Sequence, residues 1–319
     1  MKIAITGALG HIGSKLIRSL FLQASELILI DNLSSERYGS LFNLPANTHY
    51  TFFEADILNC DLDSLFKGVD VVIHLAAYTN AAGSFEMREK VESQNFNGTK
   101  RVAESCLRNG TRLLYFSTTS VYGPEKKTTV AEDCDGSDLK PQSPYAETKL
   151  KEEEFLRSLS GKLQFTIFRL GTIFGTSPGM RFHTAVNKFC WQAVMGQPIT
   201  VWKSALHQTR SYLDLNDASR AVQHLLKEKI FAGDVYNILT LNTTVETILK
   251  TIQSHIPHLN VKFVDSKIMN DLSYEVRCDK FKRLGFQFTG NLAQGVSDTV
   301  SLLQQANSPA SILPLSQAA

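Results

Sequence analysis

Lys2-Ile-Ala-Ile-Thr6 runs directly into Gly7-Ala-Leu-Gly10-His-Ile-Gly13. Ile3 and Ile5 make a short apolar run suited to a buried strand. Beyond the glycines, Ile12, Leu16, Ile17 and Leu20 recur at helical spacing, so the glycines mark a strand-to-helix turn. A turn without Cβ atoms lets a pyrophosphate approach the backbone, with the positive end of the helix dipole facing it. The spacing G-x-x-G-x-x-G differs from the commoner G-x-G-x-x-G, but the mechanics are shared. Leu27-Ile-Leu-Ile30 then reads as a second apolar strand closed by Asp31. That acid lies close to the ~20-residue spacing at which a carboxylate meets an adenosine ribose. By charge, Asp31 favours a free 2′-hydroxyl over a 2′-phosphate, so the predicted cofactor is NAD rather than NADP.

Composition bounds the rest. With 43% hydrophobic and 20% charged residues, the 319-residue chain has the make-up of a soluble globular enzyme. A formal charge of +2 gives no electrostatic case for nucleic acid or a membrane surface. No apolar run approaches the ~20 residues of a membrane span. The sequence opens in a strand, so no signal peptide is expected, and the five cysteines include no C-x-x-C. Reduced thiols and a cytoplasmic location are the expectation. No metal-ligand spacing occurs, and no metal is expected.

The first half alternates strand and helix, which implies a parallel sheet. Tyr50-Thr-Phe-Phe-Glu54 reads as the third strand, followed by Ala55-Asp56-Ile57. Asp56 stands where it could accept from an adenine amino group or cap a helix. Val69-Asp-Val-Val-Ile73 is a buried strand, and in His74-Leu-Ala-Ala77 the small residues permit close passage of a ligand; His74 is read as structural. Residues 78–94 read as loop plus short helix, and Asn95-Phe-Asn-Gly-Thr99 opens the next long helix. Leu113-Leu-Tyr-Phe116 runs out into Ser117-Thr-Thr-Ser120-Val-Tyr-Gly123, hydroxyl residues at the carboxyl end of a strand, where open α/β sheets bind ligands. In Ser143-Pro-Tyr-Ala-Glu-Thr-Lys149, Ser143 suits an N-cap and Pro144 the first helical position. Tyr145 and Lys149, four apart, share one helical face. A nearby ammonium favours a phenolate, as a tyrosine acting as general acid/base requires.

These motifs, in this order, resemble the extended short-chain dehydrogenase/reductases of the NAD-dependent nucleotide-sugar epimerase/dehydratase group. The resemblance spans roughly residues 1–300. It implies an α/β fold: a Rossmann-type doubly wound parallel sheet with a smaller C-terminal α/β substrate domain. The NAD-binding domain is expected over residues 1–175, with returns near 210–240, and the substrate side mainly over 176–319. By resemblance Tyr145 is the catalytic base. Lys149 binds the nicotinamide ribose and tunes that base, and Thr118 holds the hydroxyl being oxidised. Gly7, Gly10, His11, Ile12, Gly13, Asp31, Asn32, Ser34, Asp56, Ile57, Leu75, Ala76, Ala77 and Asn95 match the cofactor wall. A homodimer is implied, formed by helices near 95–108 and 144–158.

Departures narrow the chemistry. Sugar 4,6-dehydratases follow the catalytic threonine with an Asp-Glu pair; here Thr119 and Ser120 stand there. Decarboxylases of the group usually keep a glutamate at the second place. Dehydration and decarboxylation are therefore disfavoured, which leaves epimerisation or a net oxidation or reduction. On the substrate side, Thr119 and Thr172 are wall candidates, Thr172 standing where many UDP-sugar epimerases carry asparagine. Arg181 and Lys188 are either phosphate ligands or solvated helix charges. Arg210, in Arg210-Ser-Tyr-Leu-Asp-Leu-Asn-Asp217, matches an arginine that grips the substrate diphosphate, since a guanidinium forks onto phosphate oxygens. Asp217 is expected to cap the following helix, and Arg277 is a weak match to a second diphosphate arginine. Thr243-Thr-Val-Glu246 reads as a capping box. The expected function is an NAD-dependent 4-epimerase of a nucleotide sugar, with no nucleic-acid or membrane partner. A net dehydrogenase or ketoreductase on the same residues is the first alternative, and a non-catalytic dinucleotide sensor the second.

Overall fold

The computed structural model describes residues 1–81, 83–123, 128–265 and 273–305. Residues 307–319, which read in sequence as a loose tail, lie outside them. The first half of the chain runs β1 (Lys2–Thr6), α1 (His11–Ser19), β2 (Glu26–Asp31), β3 (His49–Glu54), α2 (Leu62–Phe66), β4 (Val71–His74), α3 (Arg88–Asn109), β5 (Arg112–Thr118), β6 (Thr129–Val130) and α4 (Pro144–Ser158). The second half runs β7 (Phe165–Leu170), β8 (Thr172–Phe174), α5 (Ala185–Val194), β9 (Ile199–Trp202), β10 (Thr209–Asp214), α6 (Leu215–Glu228) and β11 (Val235–Ile238). It continues through β12 (Leu241–Thr244), α7 (Val245–Gln253), β13 (Val261–Val264), β14 (Glu275–Val276), α8 (Asp279–Lys282) and α9 (Leu292–Gln304).

Seven strands make one parallel sheet in the order β11-β7-β5-β4-β1-β2-β3. The order reverses at β1, whose neighbours are β2 on one side and β4 on the other. At such a switch point the chains leave in opposite directions and open a crevice at the strands' carboxyl ends. The strands read as near-continuous apolar runs because both faces are covered. Leu16 and Ile17 of α1 and Leu20 just beyond it, with Ala218, Val222 and Leu225 of α6, seal one face. Phe66 of α2, Val102 and Cys106 of α3, and Leu156 of α4 seal the other. A separate core joins Phe189 and Cys190 of α5, Ile248 and Ile252 of α7, and Val296 and Val300 of α9, so the smaller C-terminal unit has its own interior.

Three local expectations need correction. Helix α3 begins at Arg88, and Asn95 sits two turns inside it rather than at its start. Val91 is the one apolar residue among positions 88–94, so no hydrophobic period advertises those turns, yet Val91 is fully buried. The cap of α6 is Asp214, which accepts from Asn216 N at 2.7 Å. Asp217 instead lies buried in the first turn and accepts from Thr240 Oγ1, Thr289 N and Gly290 N at 2.7, 3.0 and 2.9 Å. Helix α7 is capped by Thr244 on Thr247 N at 3.2 Å, one residue beyond Thr243, so no capping box forms and Glu246 pairs with Lys250. No helix among the described residues is long and apolar enough to cross a membrane.

Candidate active site

Helix α4 carries Tyr145 and Lys149 and is pinned from both ends. Ser143 accepts from Ala146 N at 3.2 Å, and Pro144 opens the first turn. Deeper in the helix, Glu153 is fully buried and takes a forked contact from Arg169 of β7, Nε at 2.9 Å and Nη2 at 2.7 Å. Ser117 Oγ donates to the same carboxylate at 2.5 Å, and Arg169 Nη1 donates to Tyr122 Oη at 2.8 Å. A forked charge pair of this kind fixes orientation as well as distance. The rotation of α4 about its axis is thus set against strands β5 and β7.

A cleft of about 620 Å³ opens along the carboxyl ends of the strands. One end is built by the glycine turn. Gly7 has φ +66°, and a Cβ there would come within 2.6 Å of Ala76 N. A Cβ at Gly13 would meet Ala8 O at 2.4 Å, so this glycine lets α1 close onto the turn. Gly10 caps α1 without a side chain, and the first turn carries no acid. The helix's first N–H groups are therefore left to an anion, and the wall fits a dinucleotide pyrophosphate. His11 donates from Nε2 to Gly175 O at 3.0 Å, and burial holds its pKa down to about 3.

Asp31, Asn32, Ser34, Asp56 and Ile57 line the same end. Asp31 accepts from Leu9 N and from Leu33 N, each at 3.0 Å, so it also orders the two loops it stands between. Asp56 accepts from Leu58 N at 2.9 Å and from Asn32 Nδ2 at 3.3 Å; it caps no helix, because the cap of α2 is Asp61, which accepts from Ser64 N at 3.2 Å. Leu75, Ala76 and Ala77 make the floor. Asn95 locks the strand exit by exchanging two bonds with Tyr78, accepting from its N at 2.7 Å and donating to its O at 2.9 Å.

At the other end Thr118, Ser120, Tyr145, Lys149, Thr172 and Arg181 come together. Thr118 Oγ1 accepts from Ser120 N at 3.1 Å, which leaves its hydroxyl proton to donate outward. Lys149 is only 4% exposed, and its ammonium bonds Tyr115 Oη at 3.0 Å and Glu152 Oε2 at 3.2 Å. Arg181 donates from Nη1 to Thr79 Oγ1, while its buried Nε has no partner. Burial lowers its pKa from the usual arginine value.

Four sequence candidates stand outside this cleft wall. Thr119 turns into the interior, where Oγ1 meets Ser211 Oγ at 2.8 Å and Leu170 O at 3.2 Å. Lys188 lies on the exposed face of α5, between the buried Asn187 and Phe189. Arg210 extends over the Tyr274 ring at 5.5 Å and donates to Gln208 Oε1 at 2.9 Å. Arg277 is exposed and paired with Asp279 at 2.5 Å. Conversely, Arg37 and Thr79 line the cleft from loops without periodicity, and Tyr115 and Glu152 bear on it from beneath. Tyr115 is hidden in an apolar run and Glu152 in the charged run Lys151-Glu-Glu-Glu154. The one available signal was the three-residue step from Lys149 to Glu152, which places both on one helical face.

Residues 3–238 match the family model described as the NAD dependent epimerase/dehydratase family. The UDP-glucose epimerase YtcB of Bacillus subtilis, whose name carries the word uncharacterized, is 31% identical over 75% of this chain and 76% of its own. A trifunctional UDP-glucose 4,6-dehydratase/3,5-epimerase/reductase of Arabidopsis thaliana is 28% identical over 95% of this chain, which spans 47% of that protein's length. Among solved structures, the UDP-glucuronic acid 4-epimerase of Bacillus cereus, complexed with UDP-glucuronic acid and NAD, superposes with a TM-score of 0.85. It is 27% identical, and the match covers 96% of this chain and all of that one.

Proposed function

The chain belongs to the NAD dependent epimerase/dehydratase family, and on that premise we propose that it is a 4-epimerase of a nucleotide-linked sugar. NAD, when bound, supplies a hydride acceptor and donor. The chain's own residues handle the proton and the geometry. Tyr145, facing the cleft from the first turn of α4, takes the proton of the sugar C4 hydroxyl. Thr118 orients that hydroxyl with the proton it has free. Lys149 holds the nicotinamide ribose. Loss of proton and hydride leaves a 4-ketose, which turns over in the cleft and takes both back on its other face. No net redox change results.

The disposition of acids carries this reading. Asp31 and Asp56 are the only carboxylates among the described residues lining the cleft, and both stand at the adenosine end. Beside Thr118, Thr119 is turned inward and Ser120 carries a hydroxyl. Eliminating water from the sugar needs a carboxylate able to move a proton there, so a 4,6-dehydratase is disfavoured. The 27% identity to the UDP-glucuronic acid 4-epimerase of Bacillus cereus supports reaction at C4. Arg181, with an unpartnered Nε, suits a phosphate better than the solvated Lys188. In this reading residues 1–175, with the stretch near 210–240, hold the cofactor, and 176–319 mainly hold the sugar nucleotide. A homodimer through α3 and α4 is part of the proposal, and light scattering that found only monomer at micromolar concentration would remove it.

The test is a panel of UDP- and dTDP-sugars followed by proton NMR and by absorbance at 340 nm. A C4-inverted product without sustained NADH is the expected result. Continuous NADH formation or consumption would instead mean a dehydrogenase or ketoreductase, and a 4-keto-6-deoxy product a dehydratase. Tight NAD binding without turnover of any sugar would favour the dinucleotide sensor.

A further inference from the structure

Beneath the cleft floor a chain of buried polar side chains, to which the proposed chemistry assigns no role, runs up to Lys149. Thr6 Oγ1 lies 2.7 Å from His74 Nδ1, and His74 Nε2 lies 3.1 Å from Thr99 Oγ1. Thr99 Oγ1 donates to Glu152 Oε1 at 2.7 Å, and Tyr115 Oη donates to Glu152 Oε2 at 2.5 Å. Lys149 Nζ completes it, 3.0 Å from Tyr115 Oη and 3.2 Å from Glu152 Oε2. Glu152 is fully buried.

The directions of these bonds follow from counting protons. Thr99 spends its one hydroxyl proton on Glu152, so it must accept from His74, and Nε2 carries the imidazole hydrogen. His74 Nδ1 is then bare and accepts from Thr6. Tyr115 likewise spends its proton on Glu152 and accepts one from Lys149. Every donor in the network runs toward Glu152, which accepts all and gives none. Burial, with the Lys149 charge, holds His74 down to about 3, and burial raises Tyr115 well above the usual tyrosine range. Both stay neutral, so the polarity does not reverse in ordinary buffers. Only Lys149 and Glu152 carry charge.

Resting on the reading of Lys149 as the ribose ligand, we propose that Glu152 is a positioning residue that fixes the Lys149 ammonium from behind. An ammonium has three protons in tetrahedral array. With one directed at Tyr115 and one at Glu152, the third is aimed into the cleft that Lys149 lines. Tyr115 assists twice, as the neutral acceptor and as the ring beneath the ammonium at 4.7 Å. Thr6, His74 and Thr99 hold the other carboxylate oxygen, tying the anchor to the strand that feeds the glycine turn.

A double-mutant cycle on NADH affinity, read by fluorescence titration, tests this. Glu152→Gln, near-isosteric and uncharged, should weaken NADH binding about tenfold, within the coupling range of contacting residues. In a Lys149→Met background the same change should add almost nothing. Tyr115→Phe, which keeps the ring, should repeat the pattern more weakly and serves if Glu152→Gln does not fold. A Glu152→Gln protein that lost melting temperature but bound NADH like wild type would overturn the proposal. So would equal effects with and without Lys149, which would mark a merely structural residue. Unchanged NADH affinity in Lys149→Met alone would remove the ribose role itself, and the proposal with it.

Discussion

Lowering the pH from 7.0 to 5.5 should cost the fold about 2.5 kcal/mol through two histidines. His74 and His11 are buried and neutral in the native protein, each held down to about 3, chiefly by desolvation. In the unfolded chain each returns to about 6.5. Between those values only the unfolded chain binds the proton, so their contribution is fully present above 6.5 and is lost as pH falls toward 3. From pH 7.0 to 5.5 each histidine accounts for about 1.2 kcal/mol, before most carboxylates begin to titrate. Against a total of about 5–15 kcal/mol the loss is large. Urea denaturation at the two pH values, followed by the fluorescence of Trp191 and Trp202, measures it. His74→Asn, which can accept from Thr6 and donate to Thr99, should abolish about half of the dependence. Equal stability at both pH values, or a His74 ring whose 15N shifts titrate near 6.5, would refute the reasoning.

Tyr145→Phe should retain the fold and NAD while turnover falls about 10²–10⁴-fold, the loss typical of a positioned general base; near wild-type turnover with full cofactor would remove Tyr145 from the mechanism. Asp31→Ala should weaken NAD binding and narrow the preference over NADP, as titration with both cofactors would report. Arg169→Met removes the forked partner of the buried Glu153 carboxylate and leaves it Arg157 at 3.0 Å and Ser117, so the protein should lose about 3 kcal/mol in chemical denaturation, the low end for breaking a buried pair; a loss below about 1 kcal/mol would mean that Arg157 and Ser117 suffice for Glu153.

The parts of the site legible in sequence are those specified locally. Helix α4 begins where Ser143 and Pro144 predict, because an N-cap and a first-turn proline act over three residues. The glycine turn reads just as directly, since Gly7 and Gly13 are needed by atoms a few positions away or in one neighbouring strand. What was hidden depends on distant partners. The first turns of α3 carry a polar sequence, and only packing shows that Val91 is core. Thr119 is chemically equivalent to Thr118 and faces the interior because Ser211, far along the chain, receives it. The pairing of Lys149 with Tyr115 joins a helix to a strand thirty-four residues away, and nothing in either local run signals it. Asp214 and Asp217 both suit a cap by type; backbone donors arriving from residues 289 and 290 decide which one is free to serve.

The central claim is that hydrogen leaves sugar C4 as a hydride and returns to the same carbon, with Tyr145 moving only the hydroxyl proton. The most direct measurement uses a nucleotide sugar deuterated at C4, incubated with the enzyme in ordinary water and analysed by mass spectrometry and NMR. The account predicts inversion at C4 with the deuterium kept at C4. Deuterium lost to solvent, or carried to another carbon of the sugar, would contradict it.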